Sequence, residues 1–468
     1  MRMAWRRRIG VNRAMHAPAA PGITARLATF AARADAARFP DSARAIARCS
    51  LLDWAAVGRA GIDEPVARIV REAALADGGR AEAHVFGSVQ ALPARAAALV
   101  NGATSHALDY DDTHFDYIGH PSVAIFPAAL AMAERLDASG AAFLDAALLG
   151  LETACRVGRW LGMSHYQHGF HQTATAGSFG AAAACARLLG LDADRSAHAL
   201  GIAATRAAGL KSQFGTMGKP YHAGTAAANG VEAALLAAAG FVSRPDALEC
   251  EQGFGDTHAG ANADVDTVLG GLGVVFRFEK VQYKLHACCH GTHAALEALA
   301  TLRAAHALPP EAIERITLTV HPRWLRVCNL EQPRTGLEAK FSYRLTAAMV
   351  CGGLDTGALA TYTDAACERP DLVALRDRVR VATDESLPDT ASRVTVRLKD
   401  GRELAQSHDL DAELPLAAQQ ARLRTKAAAL LGRSDADALW RAIEGWRTLS
   451  ARELAAALVR GQPPLAAR

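Results

Sequence analysis

Alanine and leucine recur at helical spacing from residue 21 to about residue 240, with glycine and proline between the runs. Positions three and four apart share one face of a helix, so this periodicity predicts helices, most clearly over 42–60, 124–136, 143–161 and 178–189. Alanine has the smallest entropic cost in a helix, and its small side chain lets neighbouring helices approach closely. The first half of the chain is therefore predicted to be all-helical.

The pattern changes near residue 275, where β-branched residues begin to alternate with other side chains. This alternation predicts strands at 274–278, 316–320, 379–381 and 394–398, and a hairpin turn at 399–402. Helical runs lie between these strands at 292–308 and 341–352, and helical periodicity returns over 416–458.

Together the segments predict a mostly α fold with an inserted α+β domain. Residues 21–275 and 411–468 would form the two parts of one large all-helical domain, and residues 276–410 a smaller α+β lid domain of ordinary domain size. Residues 1–20 are predicted to be a disordered basic tail. A cleft between two domains is the usual place for a small-molecule site.

The charge balance limits the classes of partner. Lys plus Arg is 51 and Asp plus Glu is 48, so the net charge of +3 creates no broad field that would attract nucleic acid or an anionic membrane. No apolar run approaches the roughly 20 residues that a membrane-spanning helix needs. The nine cysteines are odd in number and scattered, which favours a reducing cytoplasm over a disulfide scaffold. We expect a cytoplasmic protein without nucleic-acid or membrane partners.

The densest polar cluster spans residues 101–120, with four aspartates and three histidines between His106 and His120. So many ionisable groups would be costly to bury without partners. If the segment after His106 were helical, His106, Asp109 and Thr113 would share a face that could orient a histidine and bind a carboxylic substrate. A solvated helix end capped by aspartate is the alternative.

Two further polar segments run directly into predicted helices. His171 precedes a helix predicted from about Ser178, and a helix N-terminus offers free N–H groups and partial positive charge to a carboxylate. Lys219 lies between Gly218 and Pro220, which restrict the backbone and aim one cation. A structural histidine and a surface lysine are the alternatives at these two positions.

The fourth polar segment, 284–293, holds three histidines and two adjacent cysteines. Adjacent cysteines do not match the spacing of closed zinc sites, and the chain lacks the spaced cysteines that hold an iron–sulfur cluster. We expect no metal and no cofactor. Sequence templates of serine hydrolases, dinucleotide-binding folds and zincins are absent as well.

In this order, the four clusters resemble the MmgE/PrpD family of dehydratases, decarboxylases and epimerases. The resemblance covers nearly the whole chain from about residue 21 and rests on NGATSHALDYDDT (101–113), HPSVAIFPAA (120–129), GFHQTATAGSFGAAAACARLLG (169–190), GTMGKPYHAGTAAANG (215–230) and residues 284–296. It implies a helical domain with a smaller α+β lid, usually as a homodimer, and a small polycarboxylate as substrate.

The family motifs, with the shared face proposed above, select the candidate site residues. The catalytic candidates are Asp109, His120, His171, Lys219 and His293. The substrate-binding candidates are His106, Thr113 and His290. Which of His290 and His293 is catalytic stays open, because the resemblance admits either.

The resemblance implies a metal-independent lyase that moves a proton at a carbon next to a carboxylate. We expect a dehydratase of a citrate-like tricarboxylate such as 2-methylcitrate, with an epimerase of iminodisuccinate or a decarboxylase of cis-aconitate as alternatives. A non-catalytic helical protein is a third possibility, against which the intact polar motifs argue.

Each of these reactions develops negative charge beside a carboxylate, so fixed positive charge should surround it, and Lys219 and His120 suit that role. His171 or His293 would carry the proton at neutral pH, and Asp109 would orient one imidazole.

Overall fold

The computed structural model describes residues 21–306 and 308–460, so the predicted tail at 1–20 lies outside the described residues. The fold is mostly α with a small α+β part, as predicted. The first part is helical, with α1 (Ile23–Arg33), α2 (Asp41–Ala60), α3 (Pro65–Asp77), α4 (Ala94–Ser105), α5 (Ser122–Arg135), α6 (Gly140–Gln167), α7 (Gln172–Leu188), α8 (Ala193–Arg206), α9 (Gly218–Ala238), α10 (Phe254–His258) and α11 (Val265–Leu269).

A four-stranded sheet follows, built from β1 (Ile313–Val320), β2 (Val379–Thr383), β3 (Ala391–Leu398) and β4 (Glu403–Asp409) in the order β2-β1-β3-β4. β1 pairs in parallel with β2 and antiparallel with β3, and the predicted hairpin joins β3 to β4 through Gly401, whose φ is 90°. The helices of this region are α12 (His293–Ala305), α13 (Leu325–Cys328), α14 (Gly336–Ala339), α15 (Tyr343–Cys351), α16 (Asp364–Glu368) and α17 (Pro370–Arg376). α12 contacts β3 and β4, and α15 contacts β2.

The chain then returns to helices at α18 (Leu416–Leu431), α19 (Arg433–Glu444) and α20 (Ala451–Ala455). These helices contribute to the same hydrophobic core as the first part of the chain, because that core contains buried side chains from 23–283 and from 423–459. A second core collects residues 287–398 around the sheet and includes Tyr110 from the helical part. Among the described residues, no helix is both long and apolar enough to cross a membrane.

Small residues set the distance between the two helices that lead to the candidate site. A Cβ added at Gly102 in α4 would lie 2.8 Å from the Cα of Gly224 in α9, so neither position has room for a larger residue without displacement of a helix. The close approach holds the loop after α4 beside the first turn of α9, which carries Lys219.

Three local predictions are wrong. Residues 274–278 form no strand: Val274 and Val275 are 70% and 60% exposed, and the backbone turns at Gly271 and Gly273, whose φ angles are positive. The helix predicted from Ser178 begins six residues earlier, at Gln172.

The segment 106–113 is not a helix, because α4 ends at Ser105 and Asp109 has a φ of 49° in the left-handed region. His106, Asp109 and Thr113 therefore do not share a helical face.

Candidate active site

Asp109 lies where the two parts of the fold meet. Its Oδ2 is 2.6 Å from the Nζ of Lys219, in the first turn of α9, and its Oδ1 is 2.8 Å from the Nζ of Lys284. Lys284 also donates to the backbone carbonyl of Asp109 at 2.7 Å. One carboxylate thus joins two lysines that are 65 residues apart in sequence, one from the helical part and one from the segment that enters the α+β part.

The loop conformation directs this carboxylate. Asp tolerates the left-handed backbone region better than most residues, and the N–H of Asp109 donates to the carbonyl of His106 at 3.1 Å to close a turn. The side chain of Lys284 is only 4% exposed, whereas that of Asp109 is 37% exposed. The bridged carboxylate therefore remains accessible to a small molecule.

Asp111 binds two imidazoles. Its Oδ1 is 2.8 Å from the Nδ1 of His106, and its Oδ2 is 2.8 Å from the Nδ1 of His120. The Nε2 of His120 points towards Asp109, 3.5 Å from its Oδ1. The role predicted for Asp109, to orient an imidazole, is thus filled at shorter distance by Asp111.

His171 is the N-cap residue of α7. It thus lies at the N-terminus of this helix, as predicted, although the helix starts earlier than predicted. Its Nδ1 is 3.1 Å from the Nδ1 of His222 in α9, so one of the two nitrogens donates to the other. The His171 ring stacks with the His106 ring, and the two ring centroids are 6.1 Å apart. It also packs edge-on against the Phe214 ring.

The α+β part contributes His290 to the same region. Its Nδ1 is 2.6 Å from the hydroxyl of Thr113, which belongs to the loop that carries Asp109. His293 lies behind His290, with ring centroids 4.7 Å apart, and its Nε2 is 3.4 Å from the carbonyl of Cys288. His290 therefore contacts the helical part directly, whereas the ring of His293 packs against His286 and His290 of the α+β part.

Burial and charge act in opposite directions on these groups. Burial disfavours ionisation of Asp109, but the ammonium groups of Lys219 and Lys284 outweigh it and hold the pKa of that carboxyl well below its ordinary value. Burial likewise opposes ionisation of Asp111, and His106 and His120 lower its pKa. Both carboxylates are therefore charged at neutral pH.

The imidazoles show the reverse balance. Burial lowers the pKa of His120 to about 4 despite the opposing pull of Asp111. Burial, reinforced by nearby cations, also holds the pKa values of His171, His290 and His293 well below the ordinary value. These rings are neutral at pH 7, when each can accept a proton.

The Nε2 of His106 and the Nε2 of His290 are among the buried imidazole nitrogens that have no hydrogen-bond partner in the described residues. Buried polar atoms are nearly always paired with protein, water or ligand. These nitrogens are the natural contacts for the oxygens of a bound molecule.

A metal site is geometrically conceivable in the same loop. One ligand atom from each of His106, Asp109, Asp111 and His120 can lie within 4.8 Å of the others. However, Asp109 already binds two ammonium groups, and these cations would repel a divalent ion. The donor set therefore fits an ion-paired hydrogen-bond network better than a metal centre.

The structure thus brings the predicted site residues into one region, with His293 set back from it. Sequence reasoning missed three residues that complete it: Asp111, His222 and Lys284. His222 follows Lys219 by three positions, so helical spacing could have suggested it. Lys284 is the first residue of the polar segment 284–293. No local signal marks Lys284, because its partner lies 175 residues away.

Comparison with known proteins adds independent information. The model of the MmgE/PrpD N-terminal domain matches residues 25–265, and that of the C-terminal domain matches residues 286–445. Cis-aconitate decarboxylase from Homo sapiens is 31% identical over 68% of this chain and 68% of its own length. Proteins of the same name from Aspergillus terreus and Mus musculus are 28% and 29% identical, over 82% and 68% of this chain and 84% and 67% of their own lengths.

Proposed function

Because the chain belongs to the MmgE/PrpD family, we propose that it is a lyase acting on a small tricarboxylate of the citrate or aconitate type. The reaction would move a proton at a carbon next to a carboxylate. Three of its relatives are named cis-aconitate decarboxylase, which supports a lyase with a substrate of this class.

The observation that carries the proposal is the bridge of Lys219, Asp109 and Lys284. Two ammonium groups share one carboxylate, so the trio retains one net positive charge, and Asp109 is exposed enough for a substrate carboxylate to approach. A carbanion beside a carboxylate is stabilised when fixed positive charge is in place before the reaction begins. Lys219 and Lys284 would supply that charge from two sides.

The neutral imidazoles would serve as proton carriers. His171 is oriented by His222, and His290 is oriented by Thr113, which leaves the Nε2 of His290 free to contact substrate. A neutral imidazole can accept a proton at pH 7, and it becomes a proton donor once it has taken a proton. The Nδ1 of His120 lies beside Asp111, so the Nε2 that faces Asp109 would accept a hydrogen bond from a substrate hydroxyl.

Two lyase reactions fit these roles. In decarboxylation the bond to a carboxylate carbon breaks, carbon dioxide leaves, and the electron pair on the remaining carbon takes a proton from an ammonium group. In dehydration a neutral imidazole removes the proton, and hydroxide leaves with a proton from a second group. The relatives' names make cis-aconitate the first substrate to test, and 2-methylcitrate tests the dehydratase.

Epimerisation of an amino-dicarboxylate such as iminodisuccinate is a second candidate. It needs two proton carriers on opposite faces of one carbon, and the site offers an imidazole from each part of the fold, His171 and His290. Because epimerisation expels no leaving group, no acid is needed to protonate one.

We further propose that the enzyme needs no metal or cofactor, since lysines occupy the carboxylate that a metal would use. The family resemblance supports a homodimer, which light scattering in solution would test. The nine free cysteines fit a reducing compartment such as the cytoplasm.

One experiment separates the reactions. The protein is incubated in deuterated water with each of the three compounds, and the products are followed by NMR. A decarboxylase releases carbon dioxide from cis-aconitate and places one deuterium in the product, whereas a dehydratase removes water from 2-methylcitrate. An epimerase exchanges the α-proton of iminodisuccinate without net loss. Absence of all three changes would contradict the proposed function.

A further inference from the structure

A buried lysine from the C-terminal part of the chain holds the loop that carries the two site carboxylates. Lys426 lies in α18, more than 300 residues after the loop, and its side chain is 4% exposed. Its Nζ donates to the backbone carbonyl of Tyr110 at 2.6 Å and to the Oδ1 of Asp53 at 2.6 Å. Tyr110 lies between Asp109 and Asp111 in the sequence, so Lys426 binds a backbone carbonyl between the two site carboxylates.

The counter-ion of Lys426 is buried as well. The carboxylate of Asp53 has no exposed surface, and its Oδ1 accepts from the Lys426 ammonium. Lys426 contacts the loop through the backbone carbonyl of Tyr110, so the side chain of Asp111 stays available to His106 and His120.

Tyr110 extends this anchoring into the α+β part. The Lys426 ammonium lies 3.9 Å from the centroid of the Tyr110 ring. The hydroxyl of that ring points to the carbonyl oxygens of Gly357 at 2.9 Å and Leu285 at 3.1 Å. Leu285 directly follows Lys284, so one side chain links the Lys426 contact to the second lysine of the site.

Stability alone is a weak reason for such a pair. Moving two charges out of water is costly, and replacing a buried ion pair by apolar residues is often neutral or stabilising. What an apolar pair cannot do is bind the Tyr110 carbonyl. That carbonyl belongs to the residue directly after Asp109, whose backbone is left-handed.

We propose that Lys426 is a positioning residue of the active site. Through Tyr110 it orients Asp109 towards Lys219 and Lys284, and Asp111 towards His106 and His120, without touching substrate. This inference rests on the proposed function for its kinetic consequence, but its structural consequence can be measured without any substrate.

The test replaces both charges together, as Lys426→Met with Asp53→Leu, so that no unpaired charge is left buried. Arg424→Met is the matched control, since Arg424 lies on the same helix and pairs with Asp437 in an exposed ion pair at 2.8 Å. Hydrogen exchange of the 106–115 peptide and steady-state kinetics are measured for wild type, double variant and control, with Tm as the check of folding.

We expect faster exchange at 106–115 in the double variant only. We also expect a fall in kcat of roughly 10²-fold with little change in KM, because misplacement by about 1 Å can cost that much while the lysines still bind substrate. Wild-type exchange at 106–115 in the folded double variant would overturn the proposal, whatever the activity. A wild-type protein inactive on all three compounds would contradict the proposed function instead, and the exchange result would still decide the role of Lys426.

Discussion

The two sides of the candidate site differ in how their charges are balanced. The helical face, defined as Asp109, Asp111, His106, His120, His171 and Lys219, carries two carboxylates, each already bound to cations or imidazoles. The lid face, defined as Lys284, His290 and His293, contributes a buried cation and neutral imidazoles, and its nearest anion is Asp109 of the other face.

This difference shows how each face depends on the other. The helical face is organised mostly by contacts within one loop and its flanking helices, and Lys284 of the lid face adds contacts to the carboxylate and the backbone carbonyl of Asp109. The lid face gains its position from the helical face, because Lys284 binds Asp109 and His290 binds Thr113. The second ammonium group that binds Asp109 is therefore in place only when the faces meet.

The largest expected effect comes from removing the lid-face cation. We predict that Lys284→Met lowers kcat/KM by roughly 10²- to 10³-fold. The change removes a fixed positive charge that stabilises the transition state, and it removes one of the two lysines that hold Asp109. Steady-state kinetics on the identified substrate measure it. Lys280→Met, at an exposed lysine four residues earlier, is the control and should behave as wild type. Equal activity of the two variants would remove Lys284 from the site.

The helical-face cation should matter somewhat less. Lys219→Ala is expected to lower kcat/KM by roughly 10²-fold while the fold stays intact, since Lys219 binds Asp109 through a single contact and its side chain is 17% exposed. Kinetics and circular dichroism measure the two parts of this prediction, with the exposed Lys399→Ala as control. Wild-type kinetics in Lys219→Ala would contradict its role.

The comparison of His290 with His293 sharpens the description of the lid face. His290 reaches Thr113 and has an unpaired Nε2, whereas the ring of His293 packs against His290 and its Nε2 faces the carbonyl of Cys288. We predict that His290→Gln costs roughly 10²-fold more in kcat/KM than His293→Gln, the lower end of what a proton-transfer group contributes. The reverse order would assign the catalytic role to His293.

We expect acid to lower the stability of the folded protein. Burial lowers the pKa of nine histidines, so below the unfolded-state value of about 6.5 the unfolded chain binds protons that the native chain does not, and stability falls as the pH is lowered. These residues are His114, His120, His165, His171, His222, His258, His290, His293 and His408. Burial raises the pKa of Asp53 to about 6 and of Asp112 to about 8, which acts in the opposite sense but involves fewer groups.

We therefore expect Tm to fall by at least roughly a few degrees between pH 7 and pH 5. Differential scanning calorimetry at fixed ionic strength measures it. A Tm that rises towards pH 5 would mean that the raised carboxyl pKa values dominate.

The smallest expected effect is that of a chelator. Because two ammonium groups bind Asp109, we predict that EDTA leaves activity unchanged and that the purified protein carries no stoichiometric zinc or iron. Activity and elemental analysis before and after dialysis test this. Joint loss of metal and activity would favour the cluster of His106, Asp109, Asp111 and His120 as a metal centre instead.

How much of the fold the sequence predicts differs from one segment to another. Local periodicity predicts α2, α5 and the core of α6 closely, and alternation predicts β1, β3 and the hairpin after β3. The strand at 274–278 is wrong because clustered glycines favour turns and no neighbouring strand pairs with it.

The site is harder to predict than the helices. The family motifs select residues of both faces, but the left-handed turn at Asp109 depends on contacts made by Lys284 and Lys426, which lie far along the chain. A helical interpretation of 106–113 follows from local propensity alone, and tertiary contacts override it.

The most direct test of a site shared by the two faces is a double-mutant cycle on kcat/KM with Lys219→Ala and Lys284→Met. Both lysines bind Asp109, so each single change should alter the contribution of the other, and the combined loss should differ from the product of the single losses by more than roughly threefold. Losses that multiply within roughly twofold would mean that the two lysines act independently, which would contradict the shared site.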